Sequence, residues 1–393
     1  MKNRTWTKTG LTGLMRIFIA TLLAAAISLP ANAGPREQAK RIHDRLAGVP
    51  PTDLVLGQME ALIPGNPQAA ADIAMNHKNF YNVTLKNFAA PWTNRDQSLF
   101  VALNDYIATV IGMVRDDVDF STLLSADLTY VGVGNVVNAQ PSPTNNDHYA
   151  QLEANNVDLS LQSNFDATTQ SSIQQIPTGA TAGVMTSRAA SEAFFVAGTN
   201  RAMFRFTLLN HMCNDMEQMH DTSLTPDRIR QDVSRSPGGD SRLFLNSCIG
   251  CHSGMDPMAG AFAYYDYDEA AQRLVYTASN VQSKYFNNDL NFPQGYRTTD
   301  DSWENYWLVG QNSYLGFSGP GGGNGAKSLG VELGTSYAFA ACQVKKAFRT
   351  VCLRDAENQT DRDAIDAIVT TFRNSGYRMK QVFADTAVHC MGQ

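Results

Sequence analysis

Basic residues are in deficit, and long apolar runs are missing beyond the first thirty or so positions. The 393-residue chain carries 31 lysines and arginines against 37 aspartates and glutamates, a net charge of −6. That balance argues against nucleic acid and anionic membrane surfaces as partners, because both attract a basic footprint. No stretch after residue 33 is apolar enough to span a bilayer, so no transmembrane anchor is expected once the N-terminus is removed. Internal repeats are not visible. Cysteine is scarce, six in all, and neither a second C-x-x-C nor an H-x-x-x-H follows, as a structural zinc site would need. The glycine-rich run at 319–325 is no P-loop, since no strand precedes it and the lysine and hydroxyl fall out of register.

What is present begins with an export signal. Lys2, Arg4, Lys8 and Arg16 form a basic region, residues 17–29 are apolar, and Ala31-Asn32-Ala33 is an A-x-A cleavage site before Gly34. The apolar run is shorter than the ~20 residues a spanning helix needs. Residues 1–33 are therefore read as a signal peptide, and the mature protein as periplasmic or secreted. Losing the four basic residues of the leader takes the net charge to −10. A basic patch on a redox partner would be attracted to such a surface.

Cys248-Ile249-Gly250-Cys251-His252 is the chemically specific motif. In an exported protein, C-x-x-C-H is the attachment pattern of a c-type haem: two thiols form thioethers with the two vinyl groups, and the adjacent imidazole falls under the iron. A redox-active C-x-x-C wants a βαβ context that these flanks lack. A disulfide across so tight a loop is geometrically awkward. One covalent haem c is thus expected on Cys248 and Cys251, with His252 as proximal iron ligand. The remaining Cys213, Cys342, Cys352 and Cys390 suggest two disulfides in an oxidising compartment, with three possible connectivities.

Helical signals dominate the rest. Thr52 is placed to cap a helix over 53–63, and Asn94 one running through Leu99, Leu103, Ile107, Val110 and Val114. A short helix is predicted over 121–126, a brief strand or turn over 128–137, and helices over 191–213, from Thr225-Pro226, and from Asp240 or Ser241 to the haem motif. Three helices close the chain, over 336–352, 361–372 and 378–389. Residues 138–182 are rich in Asn, Gln, Ser, Thr and Pro and read as a polar linker or loop. The expected fold is mainly α: an N-terminal helical region over 34–137, the linker, and a helical cytochrome-c-like haem region with long irregular loops over 183–393.

Several stretches resemble a little-characterised family of secreted cytochrome-like proteins, abundant in planctomycetes and present in proteobacteria. The family pattern is C-x-x-C-H, an apolar residue, Asp-Pro, then an aromatic and acidic tail. Here it reads Cys248 to His252, Met255, Asp256-Pro257, then Phe262, Tyr264, Tyr265, Asp266, Tyr267 and Asp268. Val114-Arg115-Asp116-Asp117, Leu123-Leu124-Ser125-Ala126-Asp127 and Ala182-Gly183-Val184-Met185-Thr186 resemble its upstream region, and 336–342 with the last two helices its C-terminal domain. Tyr265 stands where relatives often carry Glu. The resemblance implies a helical, single-haem exported protein and supplies no substrate.

The use of such a haem depends on the ligand opposite His252. That ligand is unknown from the sequence; Met379 is the candidate at an apolar-periodic position, with Met203, His211, Met212, Met216, Met219 and His220 as an upstream cluster. Asp256 and Pro257 are expected to set a turn, with Asp256 accepting a hydrogen bond from His252. Tyr264, Tyr265 and Tyr267 are candidates to pack on the porphyrin. The function expected is one-electron transfer to a transient redox-protein partner. Alternatives are a haem-dependent peroxidase or oxidase with an open or labile distal site, and an exported module whose haem is structural.

Overall fold

Capping side chains set the first helices of the computed structural model, which describes residues 33–392 apart from 197, 288, 291 and 292. The export signal expected over residues 1–33 lies, but for Ala33, outside the described residues. Helix α1 (Pro35–Ala47) opens on a proline, whose missing N–H costs nothing in a first turn. Thr52 accepts from the Val55 amide at 3.3 Å and starts α2 (Asp53–Leu62); Asn66 caps α3 (Pro67–Met75). The helix expected from Asn94 begins later. Asn94 spends its carboxamide on Ala90 and Ser98, closing a turn, and Asn104 caps α4 (Asp105–Arg115) by accepting from Ile107. All of α4 is buried, so it is a central rod of the core.

The short helix expected near 121–126 is a 3-10 turn at Phe120–Leu124, and the strand expected over 128–137 is β1 (Thr129–Gly132). β1 pairs antiparallel with β2 (Phe165–Thr168) from the stretch read as a linker. That reading is corrected. Residues 138–182 hold α5 (Asp147–Ala154) as well as β2, and bury Tyr149, Leu152, Leu159 and Phe165. Their polar side chains serve internal hydrogen bonds: His148 bonds Gly132 N and Ala139 O, Gln151 accepts from Asn138 and Ala139, and Gln170 donates to Gly183. Polarity here wires the fold rather than marking a free connection.

The helix expected over 191–213 is two, α6 (Arg188–Phe194) and α7 (Arg201–Met212), parted where Gly198 and Asn200 take φ of +64° and +59°. Thr225-Pro226 starts no helix; Pro226 only accepts from Ile229 in a turn. α8 (Ile249–Ala259) continues directly from a one-turn helix at Ser241–Leu243 and a π-turn at Phe244–Cys248. A hairpin of β3 (Tyr265–Asp268) and β4 (Arg273–Tyr276) follows. The glycine-rich run contributes β6 (Gly322–Asn324), which pairs with β5 (Ser302–Glu304).

The last four helices are α9 (Gly325–Gly334), α10 (Tyr337–Cys352), α11 (Gln359–Asn374) and α12 (Met379–His389). Disulfide Cys213–Cys342 ties the end of α7 to α10, and Cys352–Cys390 ties the ends of α10 and α12. The fold is mainly helical, as expected. One apolar cluster runs from Ala39 to Ala387 through both regions flanking 138–182, so the expected two-part division corresponds to no break in the core. A small second cluster, Ile229, Val233 and Phe244, lies against Cys248 and Ile249. No helix among the described residues is long and apolar enough to cross a membrane.

Candidate functional site

Asp240 starts the site by accepting from the Arg242 amide at 2.9 Å, the cap that launches the chain toward Cys248. The π-turn that follows is wider than an α-turn, a feature that recurs where helices carry function. Cys248 and Cys251 are the two unpaired cysteines of the chain, both partly exposed, three residues apart across this junction. Gly250 between them has a packing reason: a Cβ there would lie 2.5 Å from His220 Nε2. The segment around His220 braces the motif further, because Asp221 donates to Gly250 O at 2.9 Å and the Cys251 thiol points at Met216 O at 3.4 Å. Burial pushes the Cys251 thiol up, with Glu217 adding to the effect, which is opposite to the depressed value a redox-active C-x-x-C uses.

His252 and Asp256 share one helix face at i, i+4, and His252 Nδ1 donates to Asp256 Oδ1 at 3.1 Å. The carboxylate is completely buried and held from three sides. Arg201, the first residue of α7, donates through Nε and Nη2 at 2.7 and 2.9 Å. The Arg230 amide donates at 3.1 Å, and its guanidinium lies 3.6 Å away. Arg201 also grips Asp232 with its other edge. Burial alone would push Asp256 up, but the Arg201 and Arg230 charges and the bonds from Arg201 and His252 hold it far below the usual carboxylate range. With Nδ1 committed, Nε2 is the ring atom left for a ligand. The expected hydrogen bond is thus present, whereas the expected turn is not: Asp256 and Pro257 lie inside α8, which ends two residues later at Ala259.

His252 lines a cavity of about 470 Å³ with Met255, Met216, Phe206, Arg201 and Arg205. This lies within the ~300–1,000 Å³ of cofactor and ligand sites. The cavity wall joins Phe206, Met216 and Met255 to the charged Arg95, Arg201, Arg205 and Glu217, and neither Cys248 nor Cys251 lines it; the two free thiols, next to His252 in sequence, and the imidazole oriented by a carboxylate are the groups that would suit the attachment of one haem. Among the described residues no group of three or more His, Cys, Asp or Glu side chains is arranged to hold a metal ion.

The distal candidates separate clearly. Met379 is buried at the start of α12, which packs on α3, α10 and α11, whereas α8 packs on α7 and β5; the structure does not bring Met379 to His252. His211 sits away in the core, 2.5 Å from the Tyr106 hydroxyl, and burial lowers its pKa. Met203, Met212 and Met219 are core. Only Met216 of that cluster lines the His252 cavity. Tyr265 is committed elsewhere, stacked on Phe195 with its hydroxyl donating to Ala180 O at 2.7 Å. Arg201, Arg230 and Asp232 escaped the sequence reading; a buried Asp implies cationic partners, but nothing in the spacing names them.

No family model matches the chain, and neither a curated protein nor a solved structure does.

Proposed function

We propose that Cys248 and Cys251 hold one haem through thioethers, with His252 Nε2 as its proximal ligand, in an exported protein that carries single electrons. One observation carries this reading. Four of the six cysteines pair off, and the two left unpaired stand across the junction of the π-turn and α8, next to an imidazole one of whose nitrogens is fixed by a buried carboxylate. The resemblance of the motif and its flanks to secreted cytochrome-like proteins supports the same conclusion.

When bound, haem supplies an Fe(III)/Fe(II) couple. The chain's own residues do the rest. Asp256 holds the His252 ring in one tautomer and raises its donor strength, as carboxylates behind ligating histidines do. Arg201 and Arg230 keep Asp256 anionic and take up much of its charge, so the proton stays on Nδ1. Met216, which lines the His252 cavity, would be the thioether available to a haem held there, whereas Met379 lies elsewhere in the core. The acidic chain suits transient docking to a basic patch on a redox-protein partner.

A haem peroxidase or oxidase is the second reading, favoured by the carboxylate on Nδ1, which strengthens the imidazole's push on a bound ligand. The two guanidiniums on Asp256 blunt that push, and the carrier reading stands first. Optical spectra of the purified protein with added CO and peroxide decide between them. A low-spin spectrum indifferent to both supports the carrier; a high-spin spectrum that changes with either overturns it in favour of the enzyme.

A further inference from the structure

Arg230 stands behind the Asp256 carboxylate with a side chain that makes no hydrogen bond. It is 3% exposed, and none of its guanidinium nitrogens has a hydrogen-bond partner among the described residues. The backbone holds this segment without it: the Arg230 amide donates to Asp256 Oδ2 at 3.1 Å, and its carbonyl accepts from Val233 at 3.2 Å. The guanidinium lies over the Tyr285 ring, 5.1 Å from the centroid, and 3.6 Å from Asp256 Oδ1. A cation buried without hydrogen bonds is costly, and an apolar side chain of similar length would fill the space without that cost. What Arg230 supplies is charge.

That charge falls on a cluster already positive. The guanidiniums of Arg201, Arg230 and Arg235 act on the two carboxylates Asp232 and Asp256. Arg201 bonds both acids, whereas Arg235 bonds the Ile229 and Val233 carbonyls, lies over the Phe244 ring and has no carboxylate of its own. Cations thus exceed anions by one, in a chain with six more acidic than basic residues. The cluster sits directly behind the His252 ring, whose Nδ1 donates to Asp256 at 3.1 Å. A carboxylate in that position makes an imidazole a stronger donor, and a cation on the carboxylate takes part of the effect back.

We propose that Arg230 is a positioning residue whose buried charge, acting through Asp256, weakens electron donation by His252 and raises the reduction potential of the haem. The inference rests on the haem reading and deepens it, since it names what sets the potential of that site. Reduction adds one electron from the redox partner to Fe(III) and moves no proton, so fixed charges beside the ligand bear directly on its free energy. Both actions of Arg230 have the same sign: it disfavours the more positive Fe(III), and it draws charge from the carboxylate that would otherwise strengthen the imidazole. Asp256 acts in the opposite sense.

Two readouts on the full-length mature protein test this: spectroelectrochemical titration of the haem-loaded form, and the proton resonance of His252 Nδ1–H in reduced protein made without haem. Arg230→Met, or Arg230→Gln if the first does not fold, should lower the ratio of reduced to oxidised protein about tenfold at a fixed applied potential, a shift of about 59 mV for one electron. Arg230→Lys, which keeps the charge, should stay near the parent, and Asp256→Asn should shift the potential upward. Loosened packing alone would not drive the two sites in opposite directions. In the haem-free protein the Nδ1 proton should move downfield in Arg230→Met, as its bond to a less neutralised carboxylate strengthens, and upfield in Asp256→Asn. An unshifted potential in Arg230→Met, or shifts of one sign in Arg230→Met and Asp256→Asn, overturns the proposal. Failure of the haem reading shows separately, as an unmodified polypeptide mass, and the Nδ1 proton then decides: an unmoved resonance in Arg230→Met overturns the role of Arg230, and a downfield shift supports it.

Discussion

Replacing Asp256 with Asn removes the one acidic partner of Arg230 while leaving Arg201 its second anchor, Asp232. Arg230 is 3% exposed, and none of its guanidinium nitrogens has a hydrogen-bond partner within the described residues; it rests on the Tyr285 ring at 5.1 Å and on the Asp256 charge. Breaking a buried pair in this way costs about 3–5 kcal/mol. For a chain of about 360 residues the unfolding entropy near the midpoint is about 0.75 kcal/mol/K, so Tm should fall by about 4–7 °C. Adding Arg230→Met to the Asn variant removes the stranded charge and should recover at least about 1 kcal/mol. The pH dependence has a definite sign. The folded carboxyl is held far below its unfolded value of about 3.9, so its contribution is complete at neutral pH and drains away as pH falls below that value. Thermal unfolding followed by circular dichroism at pH 7 and pH 3 should therefore show a gap between the unmodified protein and Asp256→Asn that narrows in acid. An Asn variant that melts within 1 °C of the parent at pH 7, or a double variant that recovers nothing, refutes the reasoning.

Three further outcomes follow from other parts of the fold. Cys352→Ser opens a loop whose ends are 38 residues apart and should cost about 4 kcal/mol in denaturant unfolding, with a Cys390 thiol newly titratable. Gly330→Ala puts a methyl 1.8 Å from the Leu124 carbonyl, where backbone must move; a loss of about 1–3 kcal/mol is expected in the same assay, and a neutral result would mean that α9 does not pack on the 120–124 turn. Met216→Leu, which keeps the bulk of the side chain, should convert a low-spin haem spectrum to one that binds CO, whereas Met379→Leu should leave the spectrum unchanged and alter only stability.

How much of this was legible in the sequence follows from how far apart the partners lie in it. Cys248 ends the π-turn and Cys251, His252 and Asp256 follow it in α8, where i+3 and i+4 spacing alone makes neighbours, and the hydrogen bond between His252 and Asp256 could be foreseen. Arg201, Arg230, Asp232 and Met216 come from separate segments, and only tertiary packing delivers them. Met379 was misleading because apolar periodicity marks burial, not what lies across the gap; its helix faces α3 and α10. The stretch over 138–182 was misread because Asn, Gln, Ser and Thr signal loops by composition, while here Gln170, His148 and Gln151 bond buried backbone groups. The helix over 191–213 was carried through Gly198 and Asn200, whose left-handed backbone splits it. The helical cap at Thr52 is local and legible, whereas the one expected at Asn94 falls at Asn104, because Asn94 spends its carboxamide on Ala90 and Ser98.

The claim that the Cys248–His252 helix carries haem is tested most directly by intact mass and haem staining after denaturing electrophoresis, on protein exported from a host with c-type haem maturation. The account predicts a mass higher than the processed polypeptide by one haem, a band that keeps its stain, and loss of both in Cys251→Ala. A polypeptide with the unmodified mass and two alkylatable thiols at Cys248 and Cys251 would contradict it.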